Sequence, residues 1–286
     1  MKLIKPSVEI IKQEEYDLNH IFKFIELAGR TCYKSEDKIT EDSSKEFVDR
    51  MIRSEDSAML EHGTVYLTIP NKNISRSLLI YNYEMNPYSK VIWTNDNVYI
   101  TTNYRVIIEN NWTEHLEYIT APSKFHKKRT TVKFICDRGV SHEFVRHRVF
   151  SFAQESTRYC NYTKDKFNNE LTFIIPCWIK DLKEGNYYAY CEYNHSKNDT
   201  SKRWFDSCMS AEFVYTNLIE EGWKPQEART ILPNSLKTEL IMTGFDSDWQ
   251  HFFELRCAPN AHPQAKELAD MLKINLINKL IWKNLE

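Results

Sequence analysis

Hydrophobic positions along this chain recur with two periods, and the changes of period mark out its elements. Val8 to Lys12 reads as a short strand, and Ile21, Phe24, Ile25 and Ala28 follow at helical spacing. Ser43 and Glu46 have the spacing of a capping box ahead of Phe47, Val48, Met51 and Ile52. A turn through Glu61, His62 and Gly63 leads to Val65, Leu67 and Ile69, whose alternation predicts a half-buried strand.

The pattern is weakest over residues 70 to 130. Val91 to Trp93 and Val98 to Ile100 flank Thr94 to Asn97, which predicts a hairpin. Tyr104 to Tyr118 is expected to be helical, and Ser123 to Arg129, rich in lysine, a solvated loop. Alternation then resumes at Val132, Phe134 and Cys136, and Ser141 is placed to cap a helix running to about Val149. Thr172 to Ile175 is a further strand. Trp204, Phe205, Cys208, Ala211, Tyr215 and Leu218 trace a long helix that Gly222 can end. Pro225 opens the next helix, Thr238 to Thr243 reads as a strand, and Asp246 is expected to cap a helix through Trp249, Phe252, Phe253 and Arg256. Pro263 opens the last, with Ala265, Leu268, Leu272 and Leu276 inward. With no repeat and no clear boundary, the mixture predicts α+β, one domain over residues 1–286 with an extended segment at about 70–130.

Composition removes several function classes. The net charge is -2, which gives no general attraction to nucleic acid or to a membrane surface. No apolar run approaches a membrane span. The 7 cysteines show no CxxC spacing, and no signal-type stretch opens the chain, so reduced thiols in a cytosolic (cytoplasmic) protein are expected. Only 6 glycines are present, with neither GxG nor GxxxxGK, so a bound nucleotide must be held by side-chain cations and helix N-termini. The histidines form no HExxH or HxH pair, and no metal site is expected.

Two segments could carry chemistry. Glu143, Arg146, His147 and Arg148 precede a polar run, Gln154, Glu155, Ser156, Thr157 and Arg158. Guanidinium forks beside hydroxyls and amides suit a phosphate and a flat heterocycle. An ordinary surface helix end with salt bridges is the competing reading. Arg229, ahead of Leu232-Pro233, and Arg256, after Phe252 and Phe253, each stand among apolar residues, where an arginine needs an anion or carbonyl partner. Ion pairs with Glu227 or Glu254 are the structural alternative. His62, alone at a turn, has a structural reading as well.

Arg146-His147-Arg148 followed, after seven residues, by Ser156 resembles the signature of flavin-dependent thymidylate synthases. Leu60-Glu61-His62, Arg229 with Leu232-Pro233, and Trp249-x-x-Phe252-Phe253-x-Leu255-Arg256 resemble further blocks of that family in order, over roughly residues 25 to 280. The chain departs from common members at Glu143 (often Gln), at Ala153-Gln154 (often Asn-Glu), and at Phe245 to Ser247, where compact members often show Asn and Arg. Residues 70 to 130 look longer than in compact members.

The resemblance implies an α+β fold with a mixed sheet and long helices, and a methyltransferase that forms dTMP from dUMP. It implies FAD as cofactor, methylenetetrahydrofolate as carbon donor, NADPH as reductant, and a homotetramer with shared sites. Carried over by position, Arg146, His147, Arg148, Gln154, Phe245, Asp246, Ser247 and His251 would face FAD, with His62, Thr64 and Cys32 on the flavin or folate side. Glu143, Arg146, the run Gln154 to Arg158, Arg229 and Arg256 would bind dUMP, and Arg256 would stabilise charge on the pyrimidine. Two other readings remain beside this one. A nucleic-acid module would use Arg146, Arg148 and Lys127 to Arg129, and a related flavoprotein would act on a different pyrimidine or none.

Overall fold

A computed structural model describes residues 1–13, 15–54, 56–71, 78–188 and 199–283. Strands β1 (Lys2–Ile4) and β2 (Ser7–Ile11) lead into helices α1 (Leu18–Tyr33) and α2 (Ser43–Arg53). A 3-10 turn, Ser57–His62, precedes β3 (Thr64–Pro70), α3 (Leu78–Met85), β4 (Lys90–Trp93), β5 (Asn97–Asn103) and α4 (Tyr104–Glu109). Then come β6 (Arg129–Asp137), α5 (Arg138–Phe144), β7 (Ser151–Gln154), β8 (Thr172–Ile174) and β9 (Gly185–Asn186). Helices α6 (Asp199–Glu220) and α7 (Pro225–Ala228), strand β10 (Lys237–Phe245), and helices α8 (Asp246–Arg256) and α9 (Pro263–Lys283) follow. No helix among the described residues is long and apolar enough to cross a membrane.

The α+β expectation holds, with its sheets divided three ways. A central antiparallel sheet runs β2-β6-β10-β7, a second β3-β5-β4, and a small mixed one β8-β1-β9. In the central sheet Leu240 lies opposite Phe134 and Gln154. Side chains alternate across a strand. Val132, Phe134, Leu240 and Met242 therefore face one way, into a core with Phe144, Trp249, Phe252, Leu268 and Leu272. Ile241 and Ala153 face the other, into a core with Ile21, Ile25, Phe47 and Val65. A third core gathers Leu3, Phe173, Phe205, Cys208 and Tyr215 around the mixed sheet. At about 25 cal/mol per Å² of apolar surface, such two-sided burial is the main term holding the sheet in place.

Several local expectations give way to tertiary packing. Ser43 is the first residue of α2 rather than its cap, and its hydroxyl donates to Glu26 Oε2 instead of closing a capping box. Val65, Tyr66 and Leu67 are all buried, because β3 is covered on both faces. The helix expected over Tyr104 to Tyr118 breaks after Glu109, where Asn111 adopts φ 59, and resumes as a 3-10 turn at Thr113–Tyr118. Asp246 is inside α8. The cap is made by Asp248, whose carboxylate accepts from Phe245 N, while Asp246 accepts from Thr130 Oγ1. The expectation for Cys191 falls outside the described residues.

Candidate active site

The helix expected to run to Val149 ends at Phe144. Its cap is Asp137, which accepts from Val140 N, and Ser141 lies inside it, donating to Arg138 O. Arg146, His147 and Arg148 therefore stand on a turn, not a helical fan. The cause is Phe150. Its ring lies against Trp249 at 4.6 Å between centroids and presses on Gly244, where a Cβ would come within 2.5 Å of it. Only glycine allows that approach, and the chain must turn before Ser151 to join β7.

The turn is met by the end of α8. Arg256 Nε donates to His147 Nε2 at 2.9 Å, and Nη1 to Glu143 Oε2 at 2.8 Å, while Nη2 donates to the Glu143 carbonyl. Arg256 is thus paired with Glu143 and not with Glu254. Its guanidinium has five N–H groups, so one on each Nη is left for a ligand. Burial, with the charges of Arg256 and His251 behind it, pushes His147 down to about 4, so the ring is neutral at pH 7. The hydrogen bond from Arg256 holds Glu143 below the usual carboxylate range. Arg146 and Arg148 are exposed, as is His251, whose ring lies 6.3 Å from that of His147.

The polar run closes β7. Gln154 donates to Ser141 Oγ and Thr238 Oγ1 on the α5 side of the sheet. Glu155 is buried and accepts from Tyr162 Oη and Lys237 Nζ. Lys237 also bonds Glu239, to which Lys34 and Lys133 are paired. Burial would raise the Glu239 carboxyl, but these three lysines overcome it and hold it well below its usual range. Sequence reading missed Lys237, Glu239 and Tyr162, because nothing local marks residues that meet only through the sheet. Ser156 N donates to the Cys32 carbonyl, which ties the run to the end of α1. Thr157 is buried, and its Oγ1 accepts from Arg229 Nη1 at a long 3.4 Å. Arg229 is exposed, not seated on an apolar face, and has no ion pair among the described residues. Arg158 is exposed and lies over the Tyr159 ring.

A third group lies on the opposite face of the sheet from Arg256. His62 is fully buried, with Nδ1 at 2.9 Å from Thr243 Oγ1. Burial and then the charge of Arg129 push it down to about 3, so it is neutral. Arg129, expected in a solvated loop, instead starts β6. It donates to Glu61 O, Thr64 Oγ1 and Ser151 Oγ and lies 5.7 Å from the Phe245 ring centroid. The alternation at Val132, Phe134 and Cys136 marked the strand but not its first residue. Asp246 and Ser247, the first residues of α8, are exposed. Cys32 is partly buried, and burial raises its thiol to about 11. The structure thus joins Glu143, His147 and Arg256, and separately Glu155 to Arg158 with Arg229, and separately His62 and Thr64 with Phe245. The central sheet divides the first set from the last.

A family model described as thymidylate synthase complementing protein (Thy1) matches residues 94–278, leaving Cys32, His62 and Thr64 outside the matched span. The flavin-dependent thymidylate synthase of Pyrococcus furiosus is 30% identical over 200 residues, covering 66% of this chain and 74% of that protein. That of Geobacter sulfurreducens is 30% identical over 139 residues, covering 48% of this chain and 51% of that protein. The crystal structure of a UMP/dUMP methylase, PolB from Streptomyces cacaoi bound with 5-Br dUMP, is 17% identical with a TM-score of 0.44, covering 97% of this chain and 93% of that one. The family model spans more than half of the chain, across the turn, Arg256 that closes on it and the polar run, and the chain belongs to the Thy1 family.

Proposed function

We infer that this protein is a flavin-dependent thymidylate synthase, a methyltransferase that converts dUMP to dTMP. The observation that carries the reading is the closure of Arg256 on His147 and Glu143, which brings together two motif blocks 109 residues apart in the chain. Adding a methyl group at C5 of uracil needs electron density there, and a cation at the O2 and N3 edge stabilises the charge that develops. Arg256 is fixed for that task. Three of its donors are anchored and its plane is set by Glu143, which leaves one N–H on each Nη for a ligand. Glu143, Arg146, Ser156, Thr157, Arg158 and Arg229 supply further donors and acceptors for the nucleotide.

The residues also fit a flavin. Reduced FAD would supply hydride to the pyrimidine, with methylenetetrahydrofolate as carbon donor and NADPH as reductant. Arg146 and Arg148 offer exposed cations for phosphate, while His147 stays neutral and can meet an uncharged ring system. No cysteine is needed as nucleophile. We propose further that the active protein is a homotetramer of single-domain, cytosolic subunits. The sheet separates Thr64, which lines an open cleft, from Arg256 within a chain, so a site using both takes one from a second copy.

The test is the visible spectrum of the purified protein. Oxidised-flavin bands, present on isolation or after adding FAD, are expected, together with dTMP formation and a tetramer by light scattering. A colourless protein that takes up no FAD would remove the reading, and a fully active monomer would remove the shared site.

A further inference from the structure

Arg129 is a partly buried guanidinium with no ion pair among the described residues. Its three hydrogen bonds go to a carbonyl and two hydroxyls, all neutral. Nearby acids are engaged elsewhere: Glu61 pairs with Arg105, Asp246 accepts from Thr130, and Asp248 caps Phe245. No carboxylate of the described residues lies within ion-pair distance of it. Desolvation, the largest influence on it, pushes the Arg129 group down to about 10. It stays charged at pH 7, and a partly buried charge of this kind is costly unless an anion completes it.

That anion has a place to bind. Arg129 lines a cleft of about 630 Å³ beside the free edge of β2, with Lys12, Lys128, Gln13, Thr64 and Tyr66. Lys12 and Lys128 are exposed, and Gln13 Nε2 is buried without a hydrogen-bond partner among the described residues. Three cations and one amide donor line the cleft, and no acid is among its described lining residues. Phe245 to Ser247, expected beside FAD, carries no cation of its own, and Arg129 lies against Phe245.

We propose that this cleft is a phosphate subsite with Arg129 as its central cation and Lys12 and Lys128 at its rim, and that it takes the diphosphate of FAD. The second half of the proposal rests on the flavin reading above. A planar fork suits two neighbouring phosphate oxygens, whereas lysine offers a point charge. The lysines at the rim act through solvent and are screened by salt.

The experiment titrates FAD, FMN, riboflavin and NADPH by fluorescence against wild type, Arg129→Met, Arg129→Lys and the double variant Lys12→Ala/Lys128→Ala, with a thermal melt on each. Wild type should bind FAD more tightly than riboflavin. Arg129→Met should lose about ten- to a hundredfold in FAD affinity, the scale of a charged hydrogen-bonding group, and little in riboflavin affinity. Arg129→Lys should recover part. The double variant should keep its melting temperature and bind FAD less tightly than wild type at low salt, with the difference shrinking as salt rises. If Arg129→Met does not fold, the double variant decides: unchanged FAD affinity at low salt overturns the subsite. Equal FAD affinity in wild type and a folded Arg129→Met overturns it while leaving the flavin reading intact. Loss of NADPH affinity with FAD affinity unchanged overturns the assignment to FAD. A wild type that binds no flavin removes both readings together.

Discussion

Two arginines, Arg256 and Arg129, stand on opposite faces of one sheet and are handled in opposite ways. Arg256 is neutralised by Glu143, and most of its donors are committed within the chain. Arg129 has only neutral partners and keeps its charge. A paired guanidinium gives orientation, because its fork is already fixed and only a little charge is left to share. An unpaired one gives affinity for an anion, because hydrogen bonds to neutral groups leave its charge unbalanced. The first suits a group that must meet charge as it develops, and the second a ligand that arrives already charged.

Arg256→Ala breaks this comparison most severely. Loss of one oriented donor costs about 10²–10³ in rate, so dTMP formation should fall by about that factor, with weaker dUMP binding and flavin content retained. Arg256→Lys should restore only part. A purely structural Arg256 would instead lose melting temperature and flavin together, with lysine restoring both. Near wild-type turnover in Arg256→Ala would sink its assigned role.

Glu143→Gln sharpens the contrast at smaller cost. It keeps the shape and removes the charge, leaving Arg256 as unneutralised as Arg129. The expected loss in stability is about 1–3 kcal/mol, the worth of a hydrogen bond to a charged group. Binding of dUMP should become more dependent on salt. A thermal melt and a dUMP titration at two salt concentrations check both, and a salt dependence unchanged from wild type would contradict the pairing argument.

Each arginine also lies near a neutral histidine, His147 beside Arg256 and His62 beside Arg129. Their folded values, about 4 and about 3, are below the ordinary ~6.5 of the unfolded chain. Between those values the unfolded state binds more protons. Stability is therefore full above about pH 6.5 and falls as the pH drops toward 4. The slope should approach two protons, about 1.4 kcal/mol per pH unit for each. His147→Asn should remove about one of them, and denaturant midpoints from pH 7 to 4.5 would show it. A slope unchanged in that variant would mean His147 is not held neutral.

The smallest effect is expected at the cysteines. Burial raises Cys160 to about 12 and lifts Cys257 above its ordinary value, so neither is a thiolate at neutral pH. Cys160→Ser and Cys257→Ser should each keep substantial dTMP formation. Complete loss in either, with flavin still bound, would argue for covalent catalysis.

The sequence by itself determined the elements whose apolar spacing is regular, namely α1, α6, the first turns of α9 and strands β6 and β10, because burying a regular set of apolar side chains leaves the chain little choice. It determined the family as well, since the spacing from Arg146 to Ser156 and the later arginines are read without coordinates. The tertiary structure alone decided where helices stop and where charges settle. Phe150 needed its seat on Gly244, so α5 ended at Phe144 and the motif arginines moved onto a turn. Glu143 and Arg256 lie 113 residues apart, and their pairing depends on α8 crossing the end of α5. Arg129 looked like one more basic loop residue until the sheet extended to it. Helix ends, ion pairs and unpaired charges are set by contacts between distant segments, and local pattern carries no record of those.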